Sequence, residues 1–153
     1  MSKNEKNLDP VTFEVLKNSF ISSVDQMAEQ VLRTCYSFVI YNRDFSNCLH
    51  DADGNSVAQG NGDIAVHVGT LHFTCKEVIR VFKGKMKPGD VYAVNDVYAG
   101  GTHFNDVRLI RPIFDDNELI GFSQANGHWS DLGGSVPGSF DVTAKDMFKN
   151  KGF

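Results

Sequence analysis

The sequence predicts an α+β fold: a long N-terminal amphipathic helix packed on a mixed or antiparallel sheet, with Gly-rich loops that carry the site. Three observations lead there. Phe13, Leu16, Phe20, Val24, Met27 and Val31 recur every three or four residues, which is one apolar stripe along a helix. Short aromatic and β-branched runs follow, separated by turn sequences. Two long segments rich in Gly, His and Asp then interrupt the predicted strands.

Asp9-Pro10 opens the first helix, because the Asp side chain accepts from free backbone N–H groups and proline is pre-set for the first helical position. The stripe carries it to about Arg33, with its Phe and Met residues read as core. From Tyr36 the run Tyr36-Ser37-Phe38-Val39-Ile40-Tyr41 favours a strand and starts a small antiparallel sheet. Asn47 to His50 adds a second short strand, and Asp53-Gly54 a hairpin turn. After the punctuation of Gly60 to Asp63 and Gly69, the spacing of Leu71, Cys75, Val78, Ile79 and Phe82 predicts a second helix capped by Thr70. Lys87 to Asp90 is a turn, Val91 to Val94 and Val107 to Phe114 are strands, and Asp115-Asp116-Asn117 turns the chain into a strand from Glu118 to Ser123. Asn95 to Asp106 and Gln124 to Gly138 remain as long loops, and Asp141 to Lys149 reads as a helix.

With 153 residues and 41% hydrophobic content, the chain can bury one ordinary core, so residues 1–153 are read as a single domain. A formal charge of -4 without a basic stripe argues against nucleic acid and against a membrane surface. The polar N-terminus has no apolar signal stretch, and a cytoplasmic location is the default. Cys35, Cys48 and Cys75 are an odd number in apolar periodic segments without CxxC spacing, and they read as buried, reduced core residues. Neither Cys35 nor Cys48 has a companion His at the spacing a nucleophile would need.

The residues with chemistry are His103, Asp106 and His128. His103 and Asp106 lie three apart on a tight segment, and His128 comes from the end of the neighbouring hairpin strand. Imidazole nitrogen with carboxylate oxygen and no thiolate suits Mn²⁺, Zn²⁺ or Fe²⁺, with open positions for water or substrate. The same residues in a Gly-rich loop can also simply hydrogen-bond the backbone and hold its shape. Gly100-Gly101 and Gly133-Gly134 fit either anion-cradling nests or positive-φ turns. His50, His67 and His72 are read as structural, His67 standing apart because Asp63 to Thr70 is another Gly-flanked loop. The sequence contains no GxxxxGK[ST] phosphate loop.

Asp9-Pro10-Val11-Thr12-Phe13-Glu14-Val15, Arg33-Thr34, Arg43-Asp44-Phe45-Ser46, Val66-His67-Val68-Gly69, Asn95-Asp96 with Gly100-Gly101-Thr102-His103, and Gly133 to Gly138 occur in an order that resembles the hydantoinase B/oxoprolinase family. The resemblance spans Asp9 to Phe148. That family includes ATP-dependent N-methylhydantoinase, 5-oxoprolinase, caprolactamase and the acetone and acetophenone carboxylases. In it an A-type part binds ATP and phosphorylates the substrate, and the B-type part carries a metal. The resemblance implies metal ligands at Asp44, His103, Asp106 and His128, with His103, Asp106 and His128 catalytic. Asp131 is either a partner that orients an imidazole or a cap on the Gly133-Gly134 turn. Val97 and Asn105 stand where the family often has proline.

The function so implied is the metal-binding part of an ATP-dependent cyclic-amide hydrolase. Its alternatives are part of a ketone carboxylase, or a non-catalytic assembly module. Family B subunits run to several hundred residues, so the chain is expected to be an N-terminal fragment or split portion of one. Its expected partners are the rest of the B-type subunit, an A-type subunit that binds ATP, and a small-molecule substrate, in a hetero-oligomer that is inactive without them.

Overall fold

The computed structural model describes residues 8–146 of the chain. Helix α1 spans Pro10–Thr34, and the Asp9 carboxylate accepts from the backbone N–H of Val11 and Thr12 at 3.1 and 3.0 Å, as the Asp-Pro start predicts. A one-turn helix α2 (Phe38–Tyr41) stands where the sequence predicts a strand. The Ser37 hydroxyl caps it at Ile40 N, and Asn42 Nδ2 donates to the Phe38 carbonyl at 2.8 Å. Phe38 and Tyr41 point to solvent, so their aromatic character has no strand partner to pack on. The sheet therefore begins later, at β1 (Phe45–Asp51), after Arg43 reverses the chain with a φ of 67°.

Strand β2 (Ser56–Gln59), helix α3 (Ala65–Val68), helix α4 (Leu71–Phe82) and strand β3 (Tyr92–Val94) follow. Thr70 precedes α4 as expected but makes no side-chain cap; its hydroxyl donates instead to the His67 carbonyl at 3.1 Å. Strands β4 (Asp106–Asp115) and β5 (Glu118–His128) form the long central hairpin. The segment Gln124 to His128, expected as loop, is thus strand. Of the stretch Asp141 to Lys149, read as a helix, residues 141–146 run in turns and bends, and the remainder lies outside the described residues.

Among the described residues five strands pair antiparallel in the order β2-β1-β5-β4-β3, which settles the sheet type. Register places Ser46, Cys48 and His50 of β1 beside Asn126, Gln124 and Phe122 of β5, and Asp106, Arg108, Ile110 and Pro112 of β4 beside His128, Asn126, Gln124 and Phe122. Because side chains alternate across a strand, these residues share one face. The face changes character along its length. At one end Ile110 and Phe122 pack with Cys75 and Val78 of α4 into the apolar core, joined by Ile79, Phe82, Met86, Tyr92, Val94 and Leu119. At the other end Ser46, Asn126, Arg108 and Asp106 are equally buried but polar. Gly127 of β5 looks the other way, where a Cβ would stand 2.8 Å from Ile40 Cδ1.

Helix α1 packs against β1 and β2, but only part of its stripe is core. Val24 is fully buried, whereas Phe13, Leu16 and Phe20 are 53%, 40% and 41% exposed. With Leu8, Ile21 and Val57 they line an apolar groove of about 550 Å³, which corrects the reading of those Phe residues as core. Cys48 and Cys75 are buried free thiols whose ionisation burial pushes up to about 11 and about 12; Cys35 is only half-buried. His50 lies 3.9 Å from the Cys48 sulfur, but burial keeps that thiol protonated at neutral pH. Among the described residues no helix is long and apolar enough to cross a membrane.

Two predictions follow from this packing. Val24→Ala should cost about 2 kcal/mol in urea unfolding, because it opens a cavity that cannot refill, and Phe20→Ala clearly less than a buried Phe would. Equal losses from both would contradict the half-open helix. The second concerns His50, which is buried, donates from Nε2 to Gln124 Oε1 at 2.9 Å, and is pushed by burial down to about 4. The unfolded chain takes up this proton near pH 6.5, so stability is complete above that value and falls as pH drops toward 4, by roughly 3 kcal/mol. His50→Gln should flatten that part of the stability-pH curve; an unchanged slope would show that His50 is not its source.

Candidate metal centre

The polar end of the sheet face is where three chain segments meet. Asp106, the first residue of β4, sits directly opposite His128, the last of β5. On the other side Phe45 pairs with Gly127, and the His128 N–H donates to the Asp44 carbonyl at 3.0 Å, which holds Asp44 beside His128. The loop before β4 brings in His103, whose carbonyl accepts from the Asp106 N–H at 3.2 Å. Antiparallel pairing therefore gathers Asp44, Asp106 and His128 from distant positions, and the loop adds His103.

Arg108, 1% exposed, clamps this loop onto α4. Its guanidinium donates to the Gly100 carbonyl, the Thr74 hydroxyl, and the carbonyl and hydroxyl of Thr70. Gly100 is required there: its φ is 88°, and a Cβ would meet Phe73 Cβ at 2.7 Å and the Thr74 nitrogen at 2.8 Å. Gly133 and Gly134 also have positive φ, the turn reading of the glycine pairs. Asp131 caps that turn, accepting from Gly133 N at 2.7 Å and Gly138 N at 3.0 Å; it orients no imidazole by any bond described here.

His103, Asp106 and His128 each offer an atom within 4.8 Å of the others. Asp44 joins through His128, its Oδ2 lying 3.7 Å from His128 Nδ1, and through a second group of the same tightness with His67 and Asp106. Asp44, Asp106 and His128 thus adjoin one another, and His103 joins them through Asp106 and His128. Hydrogen bonding sets their free atoms. The Thr102 hydroxyl gives its one hydrogen to Asp106 Oδ2, so toward His103 Nδ1, 3.0 Å away, it can only accept. His103 Nδ1 then carries a hydrogen, and Nε2 is left with a lone pair directed at His128 Nδ1, 2.9 Å away.

Asp106 is the buried centre of the group. Burial pushes its carboxyl up, but donation from His67 and Thr102, with electrostatic attraction from His67 and His103, outweighs this and holds it below the usual carboxylate range. Its Oδ2 is bonded, whereas Oδ1 is buried without a hydrogen-bond partner and lies 3.9 Å from His128 Nδ1. His103 and Asp44 are the open members, 38% and 34% exposed, against 16% for His128 and none for Asp106, so the site is reached from the side where these two stand.

His67 is the residue that sequence reasoning set aside. It is 1% exposed, its Nε2 lies 3.1 Å from Asp106 Oδ2, and its Nδ1 lies 2.9 Å from the Ser46 hydroxyl. The signal was present in the Gly-flanked Val66-His67-Val68-Gly69 run, but nothing local relates it to Asp106, 39 positions away.

A family model described as hydantoinase B/oxoprolinase matches residues 9–151. The chain belongs to this family. It is 33% identical over 147 residues to the 5-oxoprolinase of Saccharomyces cerevisiae, covering 95% of this chain and 11% of that protein. With caprolactamase subunit beta of Pseudomonas jessenii it shares 31% identity over 142 residues, covering 92% of this chain and 24% of the subunit. The fold matches the crystal structure of the ATP-dependent caprolactamase from that organism with a TM-score of 0.84, at 28% identity, over 95% of this chain and 25% of that one. A nucleotide-free acetone carboxylase matches with a TM-score of 0.77, at 27% identity, over 86% of this chain and 18% of that one. The chain spans about a quarter or less of the length of these relatives.

Proposed function

We propose that this chain is the metal-binding part of an ATP-dependent cyclic-amide hydrolase of the hydantoinase/oxoprolinase type, with Asp44, His103, Asp106 and His128 as the metal ligands. The observation that carries this reading is Asp106 Oδ1, a buried anionic acceptor with no donor, facing the ligand-side nitrogen of His128. An uncompensated buried carboxylate oxygen is costly, and a cation between it and two imidazoles removes the cost.

The donor set fits such an ion. Two imidazole nitrogens and two carboxylates suit Zn²⁺, Mn²⁺ or Fe²⁺, and nitrogens bound at about 2.0–2.1 Å to a tetrahedral ion stand about 3.3–3.4 Å apart, a few tenths of an ångström beyond the His103–His128 separation of 2.9 Å. When bound, a divalent ion supplies Lewis acidity toward a carbonyl oxygen. The chain's own residues do the rest: Thr102 holds His103 with Nε2 outward, the β4–β5 register holds Asp106 against His128, and the exposed side of His103 leaves the approach open to a small molecule.

ATP would be bound by an A-type partner, the activated substrate then meeting this site. The apolar groove along α1 supports association, because contiguous exposed apolar surface marks interaction sites; the A-type subunit and the remainder of a B-type subunit are the proposed partners. The likeness to acetone carboxylase favours a second reading, the same site in an ATP-dependent ketone carboxylase.

His103→Ala and His128→Ala should each abolish retention of divalent metal with little loss of fold, since neither side chain belongs to the apolar core. Metal content equal to wild type in both variants would remove the site; loss from both with unchanged circular dichroism supports it. The 153-residue chain alone should turn over no substrate, with ATP and metal supplied, among a hydantoin, 5-oxoproline, caprolactam, and acetone or acetophenone with bicarbonate. ATP-dependent turnover of any of these would overturn the two-part reading.

A further inference from the structure

We propose that His67 is a positioning residue that aims the Asp106 carboxylate, holding Oδ2 so that Oδ1 alone is presented to the ion. This rests on the reading of Asp106 as a ligand. The carboxylate oxygen only accepts, so at 3.1 Å His67 Nε2 is the donor and the ring carries its hydrogen there. Nδ1 is left to accept from the Ser46 hydroxyl at 2.9 Å, while Asn126 Nδ2 lies against the ring, 3.1 Å from Nδ1 and 3.2 Å from Nε2. All four residues are at most 2% exposed, so water does not compete for these bonds.

The relay reaches the sheet through its two flanking members. Ser46 of β1 and Asn126 of β5 are register partners on the buried face, and Asp106 of β4 stands opposite His128, two residues beyond Asn126. His67, on the one-turn helix α3, lies over all three strands and links them. Thr102 donates to the same Oδ2, so the carboxylate is gripped by two donors on one oxygen and none on the other. Such asymmetry is what a carboxylate binding through one oxygen needs: its charge is retained, its rotation about χ2 is stopped, and its free oxygen faces the imidazoles. His67 also lies within the Asp44–Asp106 group at ligand-compatible distance, but using Nε2 as a ligand would require withdrawing the hydrogen that Asp106 receives. The buried Ser46 hydroxyl beside Nδ1 favours the positioning tautomer.

The test is Zn²⁺ affinity and Co²⁺ absorption of the full chain, comparing wild type with His67→Leu, His67→Gln and Ser46→Ala. Partners of a ligating group typically account for 10–100-fold in metal affinity. His67→Leu should weaken Zn²⁺ binding by about that factor while one ion still binds. His67→Gln, whose amide can place an N–H near the position of Nε2, should recover most of the loss, and Ser46→Ala should show a smaller one. The Co²⁺ band positions should stay those of wild type in all three, because the ligand set is intact. Unchanged Zn²⁺ affinity in His67→Gln and Ser46→Ala together with His67→Leu would overturn the proposal, and so would a shifted Co²⁺ band in His67→Gln, which would make His67 a ligand. Should His67→Leu fail to fold, a wild-type affinity in Ser46→Ala overturns it and a weakened affinity with unshifted Co²⁺ bands supports it. Wild-type protein that binds neither ion would defeat the metal reading itself, an outcome distinct from all of these.

Discussion

A carboxylate with no exposure to water organises this molecule. Asp106 begins the central hairpin's first strand, and removing its charge from solvent costs several kcal/mol unless donors or a cation replace the lost water. Donors replace it on one oxygen only. The neighbouring architecture is arranged around that half-finished compensation: α3 delivers His67, the loop before β4 delivers Thr102 and His103, and the ends of β1 and β5 deliver Asp44 and His128. Stability and chemistry are thus in tension at this residue.

The same sheet face resolves the tension by division of labour. Its apolar end, Ile110 and Phe122 against Cys75 and Val78, provides the non-directional burial that stabilises the fold. Its polar end carries buried groups that must each find a partner, and most do: Gln124 with His50, Asn126 and Ser46 with His67, Arg108 with Thr70, Thr74 and Gly100. Arg108 has no carboxylate among these partners, so its charge is taken up by carbonyl and hydroxyl oxygens of the α4 start and the site loop. This clamp fixes the loop from which His103 extends, and a loop fixed in that way can present an imidazole in one orientation.

Much of this was legible from residue order, and the failures have physical causes. Helix α1, helix α4 and the hairpin turn at Asp115-Asp116-Asn117 follow from local periodicity and turn chemistry, which act over a few residues. Tyr36 to Tyr41 looked like a strand because aromatic and β-branched residues favour one, but Ser37 and Asn42 bond the local backbone and win where no neighbouring strand exists. Gln124 to His128 looked like a loop because Gln, Asn, Gly and His are poor strand formers; they are strand because β5 is paired with β4 along this stretch and with β1 as far as Gly127. His103, Asp106 and His128 were readable as a group because two share a short segment and the third ends a predicted neighbour strand. Asp44 came through family resemblance, and the link from His67 to Asp106 is tertiary, visible only once α3 is laid over the sheet. The exposed start of α1 shows the converse error, since a helical stripe predicts which residues share a face and not what covers it.

The proposed function requires a divalent ion between Asp106 Oδ1 and the two imidazoles. Anomalous diffraction from crystals of the chain grown with Zn²⁺ or Mn²⁺ locates such an ion directly. One peak is expected within about 2.0–2.2 Å of Asp106 Oδ1, His103 Nε2, His128 Nδ1 and an Asp44 carboxylate oxygen. An ordered site with no peak between these atoms, or with Asp106 Oδ1 bonded to a protein donor in its place, would contradict it.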